Sequence, residues 1–152
     1  MLVKDVCTMS AVCCPRQTSV SQAARLMRQQ HVGDLVVVDD PEEECTPIAV
    51  VTDRDLVVEV LGNGLDPAIT MLGSLVYRPL VIANEAEDLS EAVARMRTHG
   101  IRRIPVVNER GRVVGIVTLD DLLRLLRAAG NARLDIVRKG QDVEKRARAR
   151  TA

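Results

Sequence analysis

The sequence predicts an α/β (α+β) fold in which one β-α-β-β-α unit is used twice, with the copies packed about a pseudo-two-fold axis. The first observation behind this is a repeat: residues 18–39 align without a gap onto residues 87–108, an offset of 87 − 18 = 69. Met27 falls on Met96, Ser21 on Ser90, and the apolar run 35–38 on 104–107. The second is a further match of residues 49–56 onto 115–122 at an offset of 118 − 52 = 66, so the first copy carries three extra residues in the intervening loop. The third is that periodicity changes in the same order within each copy. Two copies of one supersecondary unit bury their apolar faces on each other and create paired clefts.

Each copy opens with a short apolar segment, residues 11–13 and 80–82, expected as a strand. A helix follows, with Ser19 and Gln22 in the first copy and Asp88 and Glu91 in the second at capping-box positions. Val20, Ala23, Ala24 and Met27, and their counterparts Leu89, Ala92, Val93 and Met96, recur at helical steps and predict one buried stripe. The β-branched runs 35–38 with 48–51, and 104–107 with 113–117, are continuous enough to be strands buried on both faces. Asn108-Glu109-Arg110-Gly111 is a tight turn between the second pair, whereas residues 39–47 form a longer acidic loop in the first. A second helix closes each copy, over 54–61 and 120–128, stopped by Gly62-Asn63-Gly64 and Gly130-Asn131. Asp66-Pro67 opens the connector, with a helical turn at 68–72. The predicted organisation is residues 1–65, 66–130 and a basic helical or frayed tail over 131–152, which carries 7 − 3 = 4 net positive charges.

Composition excludes several function classes. Lys and Arg number 21 and Asp and Glu 21, so no global field draws the chain to nucleic acid or membrane. With no Phe or Trp and one Tyr, the core is aliphatic, and the stacking platforms of single-strand binders are missing. No signal-like or membrane-length apolar segment is present, which predicts a soluble cytoplasmic protein. Cys7, Cys13, Cys14 and Cys45 have no C-x-x-C spacing and lie apart from His31 and His99, so they are expected as structural thiols and no metal site is predicted. No H-E-x-x-H or G-x-S-x-G pattern and no Cys–His proximity suggests an enzyme.

The polar ends of the repeated strands carry the candidate chemistry. Thr52 with Asp55, and Thr118 with Asp121, stand where a buried strand hands over to a helix. Such a junction presents unpaired N–H groups and the positive end of the helix dipole. A Thr hydroxyl there can bond a phosphate oxygen, and an Asp one turn later can accept the hydroxyls of a ribose. The competing reading is that Thr and Asp are simply helix N-caps.

The doubled unit resembles a tandem cystathionine-β-synthase (CBS) domain pair, or Bateman module, of the stand-alone bacterial type. The resemblance rests on Gly115-Ile116-Val117-Thr118-Leu119-Asp120-Asp121, on Thr52-Asp53-Arg54-Asp55, on residues 99–107 (His-Gly-Ile-Arg-Arg-Ile-Pro-Val-Val) and on the lead-in Val3-Lys4-Asp5-Val6. It implies a non-catalytic regulatory module that binds an adenosine-containing ligand (AMP, ADP, ATP, S-adenosylmethionine, sometimes NAD) between the repeats. Residue by residue, it implies one cleft of Thr52 and Asp55 with Val81, Ile101, Arg102 and Arg103. It implies another of Thr118 and Asp121 with Ser10, Val12, Val32 and Gly33. It also implies a homodimer through the helices of both repeats and signalling to a separate effector protein.

The clefts are expected to differ, because Arg102 and Arg103 align with Gly33 and Asp34. Guanidinium groups suit phosphate oxygens, so the first cleft is expected to prefer a phosphorylated nucleotide. The second is expected to take an uncharged adenosyl group or S-adenosylmethionine, or to stay empty. Arg102 and Arg103 as mere strand-edge charges are the alternative. The first copy also departs from the family pattern, with Val36 where the second has Pro105 and Ala49 where it has Gly115. The alternative function is a self-associating scaffold with vestigial clefts, whose basic tail contacts a partner or nucleic acid.

Overall fold

The structure is a computed structural model that describes residues 1–9, 11–39, 45–75 and 79–129. The chain divides into two compact units, Met1–Thr118, which holds both repeats' sheets, and Leu119–Ala152. The basic tail falls outside the described residues, as do Ser10 and most of the acidic loop.

The first repeat runs β1 (Cys13–Pro15), α1 (Val20–Gln30), β2 (Asp34–Val38), β3 (Pro47–Thr52) and α2 (Asp53–Asp55), which continues as a π-helix over Leu56–Leu61. The second runs β4 (Ala83–Asn84), α3 (Leu89–His99), β5 (Arg103–Val107), β6 (Val113–Thr118) and then α4 over 119–129. Two three-stranded sheets result, ordered β1-β2-β3 and β4-β5-β6. In each, the first strand pairs parallel with the second and the second antiparallel with the third. Both hairpins slip register at the same place, Val37/Val38 and Val106/Val107. The α+β doubled unit expected from the repeat is the fold observed.

Four local expectations are corrected. The opening strands lie at Cys13–Pro15 and Ala83–Asn84, downstream of 11–13 and 80–82. Parallel pairing sets Cys13 opposite Val36 and Ala83 opposite Val106, so the apolar residues ahead of them report burial and not ladder bonding. The second helix of the first copy is α-helical for one turn only. Gly62 N–H then donates to the Val57 carbonyl at 2.8 Å, five residues back, the signature of a π-helix. Asp88 caps α3 through Ser90 N–H at 2.9 Å and takes the Ser90 hydroxyl as well, so Glu91 makes no reciprocal bond. Ser19 and Gln22 do form their box. The buried stripes are Val20, Ala23 and Met27, and Leu89, Ala92 and Met96, while the equivalent Ala24 and Val93 face outward.

The lead-in segments are exchanged between the repeats. Val3 N–H donates to the Glu87 carbonyl and Lys4 N–H to that of Glu85, placing the first lead-in on the second repeat. Sixty-nine residues on, Leu72 N–H donates to the Thr18 carbonyl and Gly73 N–H to that of Arg16, placing the second lead-in on the first repeat (72 − 3 = 69 and 87 − 18 = 69). Both form 3-10 turns, Val3–Asp5 and Leu72–Leu75. Leu72 and Leu75 belong to the first repeat's core with Leu35, Val51 and Val60. Full burial of a Leu such as Leu72 is worth about 2 kcal/mol, so each copy is closed by a piece of the other.

Gly115 is explained by this exchange. Thr8 and Ile116 bond reciprocally, at 2.9 and 3.0 Å, across a bridge. A Cβ on Gly115 would stand 2.6 Å from the Thr8 carbonyl oxygen. The glycine admits the lead-in segment.

Candidate functional site

A cleft of about 370 Å³ lies within the first unit, between the end of β3 and the segment entering β5. Thr52, Asp55, Val81, Ile101, Arg102 and Arg103 all line it. They come from both repeats, and strand ends position the polar ones. Thr52 closes β3 in extended conformation, and its hydroxyl accepts Asp55 N–H at 3.2 Å. Asp55 Oδ2 in turn accepts both the Thr52 N–H and the Thr52 hydroxyl at 2.8 Å. The pair therefore forms a closed capping box. One carboxylate oxygen holds the cap, and Asp55 Oδ1 has no hydrogen bond among the described residues. Val81 and Ile101 give the opposing apolar wall.

Arg103 is not the open guanidinium that the alignment suggests. Its Nη1 donates to Asp34 Oδ2 and, at 3.4 Å, to the Gly33 carbonyl. The partners occupy the same position of the two repeats (103 − 34 = 69), so the alignment contrast between them becomes a contact. Antiparallel register sets Asp34 opposite Thr52, at the edge of the same cleft. The Arg103 and Asp34 side chains keep only 28% and 21% of their exposure. Burial pushes the Asp34 carboxyl above its ordinary value, Arg103 pulls it back down, and Asp53 pushes it up again. Arg102 is exposed and makes no ion pair among the described residues.

The sequence reading missed two charged residues of the cleft, Asp53 and Arg54. Asp53 N–H donates to the Gly33 carbonyl at 3.1 Å, and its carboxylate takes Arg54 N–H. The repeat alignment held a signal for Arg54, which falls on Asp120, a reversal of sign like that between Arg103 and Asp34.

The second predicted set is divided between the two units and Ser10, which is outside the described residues. Val12 and Val32 pack against the first repeat's core. Gly33 lies against Asp53. Thr118 ends the first unit, and Asp121 belongs to the second, where it faces Arg124 Nη1 at 3.5 Å.

Cys13 and Cys14 offer little reactivity. Burial, with a smaller push from Cys13, raises the Cys14 thiol to about 11 against a lowering by Thr18. Burial raises Cys13 too, and Cys45 adds to it. Thiols held protonated are poor nucleophiles and metal ligands. Among the described residues no three of His, Cys, Asp or Glu gather as a metal would require, and no helix is long and apolar enough to cross a membrane.

The doubled unit has exchanged lead-in segments and a cleft between the copies. The CBS domain family matches this sequence twice, over residues 3–62 and 72–128. The chain belongs to the CBS domain family. An uncharacterised protein of Methanopyrus kandleri, MK0525, is 35% identical over 122 residues, which is 80% of this chain and 58% of that protein. Among solved structures, the CBS domain pair of protein MJ0100, in complex with 5′-methylthioadenosine and S-adenosyl-L-methionine, superposes with a TM-score of 0.73. It is 25% identical, over 85% of this chain and 98% of that one. Hypoxic Response Protein I, solved with two coordinated zinc ions, gives a TM-score of 0.72 at 30% identity, over 82% of this chain and 98% of its own.

Proposed function

We propose that this CBS pair is a non-catalytic regulatory module that binds an adenosine-containing ligand in the cleft of Thr52 and Asp55. The observation that carries the reading is the cleft itself, which brings a strand-end Thr/Asp pair of one repeat against the backbone of the other. The relative solved with 5′-methylthioadenosine and S-adenosyl-L-methionine supports the ligand class. Asp55 Oδ1 accepts a ribose hydroxyl, Val81 and Ile101 flank the adenine, and Arg102 stands at the cleft wall toward the 5′ substituent. Among the described residues, Cys14 is held protonated by burial, and His31 and His99 end helices at the surface.

A ligand that touches both repeats favours one arrangement of them over another by its differential affinity. Couplings of this kind are typically about 1–3 kcal/mol. The output passes to a separate effector protein in the cytoplasm. Calorimetric titration of AMP, ADP, ATP, S-adenosylmethionine and 5′-methylthioadenosine into wild type and Asp55→Ala tests the binding step. At least one ligand is expected to saturate wild type and to lose tenfold or more in affinity with Asp55→Ala, in protein shown by its thermal transition to be folded. Absence of binding to every ligand overturns the reading.

A second reading, self-association as a homodimer, is favoured by one observation. Val57, Val58 and Leu61 on the π-helical segment remain 56%, 48% and 60% exposed. Three neighbouring apolar side chains turned to solvent mark a contact surface.

A further inference from the structure

We infer that Asp34 is a specificity residue that sets the cleft against phosphorylated ligands and in favour of adenosyl groups without phosphate. This rests on reading the cleft as an adenosyl-ligand site. Arg103 lines the cleft, and its Nη1 is already bonded to Asp34 Oδ2 and to the Gly33 carbonyl.

Asp34 is held where it is by the sheet. It begins β2, directly opposite Thr52 in antiparallel register, so its backbone is fixed at the Thr52 end of the cleft. Asp53, whose carboxylate lies beside Gly33, adds a second negative charge on the same side. The cleft wall and its immediate rim thus hold Arg54, Arg102 and Arg103 against Asp34, Asp53 and Asp55. Three cations meet three carboxylates.

A phosphate placed at Arg103 must either take that guanidinium from Asp34 or lie beside a carboxylate that keeps it. The first leaves a half-buried carboxylate without its partner, and the second sets like charges together. Both are costly where solvent is partly excluded. An adenosyl thioether meets neither cost, and a sulfonium is attracted by the same carboxylates. Alignment of Arg103 with Asp34 in the sequence pointed to two clefts of opposite preference. Their contact in the structure makes one the counter-ion of the other.

The test is titration of adenosine, 5′-methylthioadenosine, AMP and ATP into wild type, Asp34→Asn, Asp34→Ser and Asp34→Glu, each checked for its thermal transition. Wild type is expected to bind 5′-methylthioadenosine more tightly than AMP. Removing the carboxylate with Asn or Ser is expected to tighten AMP by roughly tenfold, and ATP by more, while leaving adenosine unchanged. Asp34→Glu, which keeps the charge, is expected to retain the wild-type ratio. Equal shifts for adenosine and AMP, or weaker AMP binding in the Asn and Ser variants, overturn the inference and leave the cleft reading intact. If none of these four ligands binds wild type or any variant, and S-adenosylmethionine does not bind either, both fall together.

Discussion

At the scale of single residues, the two copies answer the same physical demand with different side chains, and the difference has a measurable cost. Helices α1 and α3 each end on a left-handed residue: Gly100 at φ 62° closes α3, and His31 at φ 55° closes α1. Glycine reaches that conformation freely, whereas a Cβ crowds the backbone there. His31→Gly is therefore expected to stabilise the protein by roughly 0.5–1 kcal/mol in denaturant titration. An unchanged or lower midpoint would show that the imidazole makes a compensating contact. The same contrast of equivalents gives the cleft its charge, since Arg103 and Asp34 meet across the pseudo-axis. Alignment identified both residues as the odd pair, but not their contact, because a one-dimensional offset does not say which equivalent positions lie at the axis.

At the scale of elements, the strongest constraint is the lead-in segment that bridges to β6. Gly115 leaves room for the Thr8 carbonyl, which an added Cβ would approach to 2.6 Å. Neither backbone can yield without losing the paired bonds between Thr8 and Ile116. Gly115→Ala is expected to destabilise by about 1–3 kcal/mol. It should also speed amide hydrogen exchange at Thr8 and Ile116 ahead of the rest of the sheet. A uniform change in exchange, or none, would show that the segment is held elsewhere. The helices, the long strands and the Ser19 cap were legible from the sequence because each has a local cause, a period or a capping residue at fixed spacing. The π-helix at Leu56–Leu61 and the late start of β1 and β4 were not. Apolar residues signal burial in any backbone geometry, and the choice among geometries is made by the neighbouring strand or turn.

At the scale of the whole molecule, the reciprocal exchange of lead-in segments makes the two repeats one cooperative structure. Leu72 completes the first repeat's core, and its counterpart Val3 is fully buried on the second. The apolar surface of Val57, Val58 and Leu61 is left uncovered by that arrangement. Self-association is the expected consequence, and light scattering after gel filtration should give a mass near twice that of the 16.6 kDa chain. Val57→Asp combined with Leu61→Asp should return it to a monomer with its thermal transition retained. A wild-type monomer at high micromolar concentration would sink the homodimer reading.

By itself the sequence determined the repeat, the order of elements, the family and which six residues to look for in the first cleft. The repeat and the order of elements follow from composition, periodicity and spacing, which are local properties of the chain, whereas the family and the six residues follow from the resemblance of its motifs to CBS pairs. Only the tertiary structure decided that each lead-in closes the opposite repeat, that Gly115 serves packing, and that Arg103 already has a carboxylate partner in Asp34. Those outcomes depend on which atoms come within bonding distance when two copies pack. That distance is set by sheet register and by the pseudo-two-fold relation, and neither is written at any one position.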